Sequence, residues 1–131
     1  NEFGASKGLN VIEGEVVKFP TRRNSERYLA KVPQVGWNKI NQPDEGRFSS
    51  SWDGSPLSGL CEDDVMYFMH SFYVSPVNKA VVLSQTEYAD TTYCSSIYQD
   101  NNIALQFHPE RSGKKGLKIY ENLAKMILKP A

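Results

Sequence analysis

The sequence predicts an α/β fold, or α+β over the residues present: a mixed sheet followed by one C-terminal helix, in a single partial domain over residues 1–131. Three observations predict it. Short runs of β-branched and aromatic residues recur along the chain, separated by Pro, Gly, Asn, Asp and Ser. From Gly113 onward the apolar residues change to helical spacing. A chain of 131 residues with 40% hydrophobic residues suits one domain with a modest core.

Residues 11–19 read as a strand, because Val16, Val17 and Phe19 favour extended backbone and Pro20 stops the run. Residues 22–27 are polar and charged, which suits a turn. Residues 31–40 carry Val32, Val35, Trp37 and Ile40 with Pro33 and Gly36 among them, a mixture that fits an edge or bulged strand. Residues 41–59 read as a long loop rich in Ser, Gly, Pro and Asp, anchored by Phe48, Trp52 and Leu57. Residues 65–74 and 80–83 read as strands. Residues 93–98 and 103–107 form a hairpin around Gln99-Asp100-Asn101-Asn102. Ser112 is placed to cap a helix over residues 113–128. Tyr120, Leu123, Ala124, Ile127 and Leu128 share one helical face, with Lys118, Glu121, Asn122 and Lys125 between them, and Pro130 follows the end.

Charge narrows the partners. Lys plus Arg and Asp plus Glu both number 15, so the neutral chain has no global field to hold nucleic acid or an anionic membrane. No apolar run approaches the roughly 18 residues that a membrane-spanning helix needs. Asn1-Glu2-Phe3-Gly4 has neither a basic nor an apolar leader segment, so a cytoplasmic location is expected. The missing initiator Met suits a fragment or a processed product. Cys61 and Cys94 show no metal-ligand or CxxC spacing, and both are expected as reduced thiols. No metal or cofactor is expected.

The densest chemical signal is Gln106-Phe107-His108-Pro109-Glu110. Period-2 alternation puts Ile103, Leu105 and Phe107 on one face and Gln106 and His108 on the other. Pro109 cannot donate to a ladder, so the strand should end there. His108 then stands at a strand end with Glu110 just past it. An imidazole beside a carboxylate is how a general base is oriented and its protonated form stabilised. On chemistry alone, however, such a pair is more often structural.

Gln-Phe-His-Pro-Glu with Arg111-Ser112-Gly113 and Gly116-Leu117 resembles the signature of class I glutamine amidotransferases. Within them the chain resembles the glutaminase subunits of imidazole glycerol phosphate synthase. Glu2-Phe3-Gly4 with Lys7-Gly8-Leu9 and Gly14, Lys31-Val32-Pro33-Gln34-Val35-Gly36-Trp37-Asn38, and Tyr67-Phe68-Met69-His70-Ser71-Phe72-Tyr73 are similar to segments of those subunits, in order and spacing. The resemblance implies the C-terminal part of a class I glutamine amidotransferase fold. It implies a Cys-His-Glu triad in which the thiol attacks the glutamine side-chain amide, forms a glutamyl thioester and releases ammonia. His108 would be its base and Glu110 the orienting carboxylate.

Other positions follow from the same resemblance. The backbone of His70, Ser71 and Phe72 would meet the glutamine carboxylate, or Ser71 and Phe72 serve strand packing alone. Phe72 stands where the family usually has Tyr, so that hydroxyl is lost. Trp37 and Asn38 fall where the family docks its partner, a (β/α)8-barrel cyclase, although a lone Trp is as often core. Arg111 falls where a basic residue pairs with an Asp of that barrel. From Glu110 onward six basic residues meet two acidic ones, which suits a docking face or a solvated helix face.

The family's nucleophile lies in a Gly-x-Cys-x-Gly elbow, and no such motif occurs in these 131 residues. Cys61 is flanked by Glu62 and Asp63, carboxylates that disfavour a thiolate. Cys94 lies in an expected strand. Neither is assigned the role, so the chain alone is expected to be inactive. Two rival readings are a paralogue supplying ammonia for surface-polysaccharide sugar amidation and a non-catalytic binding remnant. A homo-oligomer is also expected, with Val11, Ile12, Val81, Val82, Ile103, Leu105, Tyr120 and Leu123 offering apolar surface for pairing.

Overall fold

The computed structural model describes residues 7–20 and 31–128. The turn expected at residues 22–27 and the Glu2-Phe3-Gly4 match lie outside them. Seven strands precede one helix: β1 (Gly14–Lys18), β2 (Gln34–Ile40), β3 (Asp64–His70), β4 (Phe72–Pro76), β5 (Val82–Tyr88), β6 (Thr91–Gln99), β7 (Asn102–Leu105) and α1 (Gly113–Leu128). Strands β1, β4, β6 and β5 lie in that order in one sheet, with β7 also on β6, and β2 and β3 form a ribbon of their own. Every one of these pairings is antiparallel. A backbone bridge between Asn41 and Gln85, at 2.9 and 2.8 Å, ties the end of β2 to β5.

Local chemistry explains most of the boundaries. The β6–β7 hairpin turns at Asp100 and Asn101 between the Gln99–Asn102 pair, and Asp100 takes φ 53°, a conformation that Asp and Asn tolerate best after Gly. The long strand expected over residues 65–74 is instead two strands broken at Ser71. There the chain passes from the ribbon to the larger sheet, and the Ser71 carbonyl accepts from Phe19 N–H at 3.0 Å. The strand expected at residues 80–83 begins as a 3₁₀ turn, Lys79–Val81, because the Asn78 side chain accepts from Ala80 N–H and caps it.

The core gathers Phe19, Ile40, Phe48, Trp52, Leu57, Met66, Phe68, Leu83, Tyr93, Phe107 and Ile119. The loop after β2 contributes its expected anchors Phe48, Trp52 and Leu57, all buried. Trp52 satisfies its indole by donating to the Leu83 carbonyl at 2.7 Å. Full burial of a side chain such as Leu57 stabilises by about 1.5–3 kcal/mol, which fixes a loop that has no ladder of its own. A second cluster holds Val81, Val82, Cys94 and Ile97. Val81 and Val82 are therefore not pairing surface, because their own sheet covers them. Ile12, Ile103, Leu105 and Leu123 are half-buried, and Val11 and Tyr120 are exposed.

Helix α1 seats a different face from the one its large apolar residues suggest. Gly116, Ile119 and Asn122 are buried, while Tyr120, Ile127 and Leu128 are exposed. Asn122 donates to the carbonyls of Pro56 at 2.9 Å and Ser58 at 2.7 Å, pinning the loop. At Gly116 the helix lies so close to the preceding turn that a Cβ would stand 2.0 Å from the Pro109 carbonyl oxygen.

Candidate active site

His108 and Glu110 sit between β7 and α1. Gln106 N–H donates to Ser95 O at 2.9 Å, extending the β6–β7 ladder, and His108 N–H then crosses to Tyr67 O of β3 at 2.9 Å. Pro109 has no N–H to give and opens a 3₁₀ turn, Pro109–Arg111, as a first-turn proline should. The His108 carbonyl accepts from Arg111 N–H at 3.0 Å and from Ser112 Oγ at 2.6 Å. Ser112 Oγ in turn accepts from Tyr67 N–H at 3.0 Å. The expected cap hydroxyl is thus used sideways, between β3 and the turn. The His108 backbone is consequently held at both its N–H and its carbonyl.

The side chains of this turn meet as expected. His108 Nδ1 lies 2.7 Å from Glu110 Oε1, at the rim of the protein, with side-chain exposures of 40% and 52%. An ionised carboxylate only accepts, so Nδ1 carries the proton and Nε2 is left as the basic nitrogen. Nε2 makes no hydrogen bond among the described residues. Glu110 Oε2 accepts from the Tyr120 hydroxyl at 3.2 Å. The Glu110 backbone N–H, followed by His108 and Tyr120, holds this carboxyl below the ordinary range. An ionised partner is what keeps an imidazole oriented and its conjugate acid stabilised.

His70 ends β3, the strand whose Tyr67 holds the His108 backbone. Its Nδ1–H donates to the Phe72 carbonyl at 2.6 Å, and its Nε2 lies 3.0 Å from Gln34 Oε1 and 3.2 Å from Tyr93 Oη. The ring packs among Phe19, Phe68 and Tyr93. Burial lowers its pKa, the bond to Phe72 opposes that, and the charge of His108 lowers it further. His70, Ser71 and Phe72 are all half-buried, and the Ser71 and Phe72 carbonyls are engaged within the fold.

Strand alternation separates Trp37 from Asn38. Trp37 is 58% exposed and packs edge-on against Tyr67, its cross-strand partner, with ring centroids 6.0 Å apart. Arg111 lays its guanidinium over the other part of that surface, 4.6 Å from the Tyr67 ring centroid. The pairs Val35–Met69 and Lys39–Val65 share this outer face, and Val35, Val65 and Met69 are exposed. Asn38 points the other way and donates to Glu87 O at 2.9 Å, so its side chain does not belong to the face.

Sequence reasoning missed Tyr67, Tyr120 and the bridging role of Ser112. Tyr67 could have been found by pairing the two Trp/Tyr-bearing strands, but Tyr120 is near Glu110 only because Gly116 lets the helix close on the turn. Neither cysteine contacts this group. Cys61 is exposed, and its N–H donates to Asp64 Oδ2 at 2.7 Å. Cys94 is buried, its thiol donates to Ser96 O at 3.2 Å, and burial pushes its pKa up to about 12. No group of His, Cys, Asp and Glu able to hold a metal occurs among the described residues, and none of their helices is long and apolar enough to cross a membrane. A concavity of about 1110 Å³ lies elsewhere, lined in part by Ile12, Gly14, Val74, Ile97 and Ile103.

Residues 10–126 match the model of a family described as glutamine amidotransferase class-I. The chain is 38% identical over 128 residues to the imidazole glycerol phosphate synthase subunit HisH of Syntrophotalea carbinolica, covering 95% of itself and 56% of that protein. It is 40% identical over 121 residues to the HisH subunit of Aquifex aeolicus, covering 92% and 51%. It is 38% identical over 124 residues to that of Geobacter metallireducens, covering 94% and 54%. The chain spans about half the length of these relatives.

Proposed function

The chain belongs to the class-I glutamine amidotransferase family, and from that premise we propose that it carries the base half of a glutaminase supplying ammonia to an imidazole glycerol phosphate synthase. The observation that carries the reading is the His108–Glu110 pair, 2.7 Å apart at the protein rim. Nε2 takes the proton of a cysteine thiol, and the thiolate attacks the side-chain carbonyl carbon of glutamine. The imidazolium, held by Glu110, returns the proton to the departing nitrogen, and ammonia leaves. Nε2 then activates water against the glutamyl thioester, giving glutamate and the free thiol. The backbone at His70, Ser71 and Phe72 receives the glutamine carboxylate.

The thiol is neither Cys61 nor Cys94. The first lies on an exposed loop with no contact to His108, and the second is buried with its pKa pushed up to about 12. The nucleophile therefore comes from residues other than these 131. The outer face of Val35, Trp37, Tyr67, Met69 and Arg111 serves to dock a (β/α)8-barrel cyclase, with Trp37 as its anchor.

The test compares the chain alone with the chain supplied with the part of a HisH relative that it does not align with, plus the cyclase. The 131 residues alone should release no ammonia from glutamine, and the combination should. Glu110→Gln should then lower the rate by about 10⁴-fold, the size of loss seen when an orienting carboxylate is removed. Trp37→Ala should weaken cyclase binding by roughly 30-fold, matching about 2 kcal/mol for an interface anchor. Glutamine hydrolysis by the chain alone would overturn the assignment and point to one of its own thiols.

A further inference from the structure

We propose that Tyr120 is a positioning residue for the His108–Glu110 pair: its hydroxyl fixes the second carboxylate oxygen and thereby keeps the first on His108 Nδ1–H. The inference deepens the glutaminase reading, and its catalytic meaning rests on it. Glu110 stands in a single 3₁₀ turn, with its side chain half exposed. An exposed carboxylate with one partner would sample several rotamers. Here both oxygens are engaged, Oε1 by His108 at 2.7 Å and Oε2 by Tyr120 at 3.2 Å.

Tyr120 is suited to the task because it comes from a different element. It projects from α1 beside Ile119, which is fully buried, and two positions before Asn122, which holds two loop carbonyls. The helix is therefore a fixed platform, whereas the turn bearing Glu110 is short. Tying one to the other limits the carboxylate to the orientation that His108 needs.

The hydroxyl also acts electrostatically. A phenol that donates to an ionised carboxylate makes a charge-assisted bond, stronger than one between neutral groups. In keeping with this, the Tyr120 phenol is harder to ionise, through desolvation and then Glu110, and Glu110 is held below the ordinary range. His70, from the end of β3, couples to His108 with like charge. Arg111 is engaged over Tyr67, Lys115 pairs with Asp64 at 3.5 Å, and Lys118 pairs with Glu121 at 3.8 Å.

Imidazole nitrogen NMR at alkaline pH tests the proposal without any need for catalysis, because the ring shifts report which nitrogen holds the proton and that is set by the hydrogen bond it makes. The sequence has two histidines, so one His70→Gln variant assigns both sets of signals. Tyr120→Phe keeps the ring and its packing. It should let Glu110 leave Nδ1–H and raise the Nε2–H share of His108 by roughly two- to threefold, with the His70 shifts unmoved. Glu110→Gln should raise that share as well, and Tyr120→Phe added to it should change nothing further. An Nε2–H share unmoved in Tyr120→Phe overturns the proposal. So does a change of equal size in the Glu110→Gln background, because the hydroxyl would then act through some other group. The two readings fail separately: a changed share without glutamine hydrolysis in the assembled complex removes the glutaminase function alone. Hydrolysis with an unmoved share removes only the role of Tyr120.

Discussion

Replacing Ser112 with alanine should loosen the turn that carries His108 without touching either side chain of the pair. Ser112 is 4% exposed, and its hydroxyl accepts from Tyr67 N–H at 3.0 Å while donating to His108 O at 2.6 Å. The substitution removes both bonds, each worth about 0.5–1.5 kcal/mol net. It also leaves the Tyr67 N–H without its acceptor, a penalty of about 1–3 kcal/mol for a buried donor. The His108 carbonyl keeps its bond from Arg111 N–H, and Tyr67 is only half-buried, so the lower part of each range applies. The expected loss is about 2–3 kcal/mol. With a urea slope of about 1–2 kcal/mol per M, the unfolding midpoint should fall by about 1–3 M. Tryptophan fluorescence reports it, since Trp52 is buried and Trp37 packs on Tyr67. Amide exchange at Tyr67 should accelerate in parallel. A midpoint lowered by under about 0.3 M, with Tyr67 still protected, would show that the hydroxyl does not bridge β3 to the turn.

Two further outcomes follow from titratable groups away from that turn. Burial holds His70 below the ordinary imidazole value of 6.5, so the unfolded chain takes up a proton there before the folded chain does. The neutral ring therefore supports folding fully above that value, and the support is lost as pH falls through it toward the folded value. Urea midpoints measured between about pH 8 and pH 5 should decline, and His70→Gln should flatten the decline; parallel curves would remove His70 as its source. A thiol reagent at neutral pH should modify Cys61 quickly and Cys94 only after denaturation, because Cys94 is buried with its pKa pushed up to about 12. Two fast-reacting thiols in the folded chain would contradict that burial.

Much of this was legible in the residues, and the exceptions share a cause. The β6–β7 hairpin announced itself through Asp100 and Asn101, and α1 through its spacing, because both signals are local. Phe48, Trp52 and Leu57 were legible as loop anchors, since large apolar residues in a polar loop have nowhere else to go. The break at Ser71 was not, because nothing in an uninterrupted β-forming run says that its halves join different sheets. The seated face of α1 was misjudged for a related reason. Periodicity marks an apolar stripe but not its partner, and here Gly116 and Asn122 lie against the core while Tyr120, Ile127 and Leu128 face outward. His108 and Glu110 were readable because they stand two residues apart in the sequence, so a single turn brings their side chains together. The Tyr67 stack and the Tyr120 contact depend on separations of 44 and 10 residues that only the fold closes.

Gly116 carries a lesson for anyone engineering this chain. Glycine inside a helix normally invites replacement by alanine, a change worth about 1 kcal/mol in helix propensity. At this position the added methyl would collide with the Pro109 carbonyl oxygen, 2.0 Å away, and would have to pry the helix off the turn bearing Glu110. A saturation survey scored on folding should therefore rank Gly116 among the least tolerant positions, close to the His108–Glu110 pair. The residue matters for the room it leaves empty, and a stabilisation scheme built on propensity tables would choose it first and lose both the helix seat and the site.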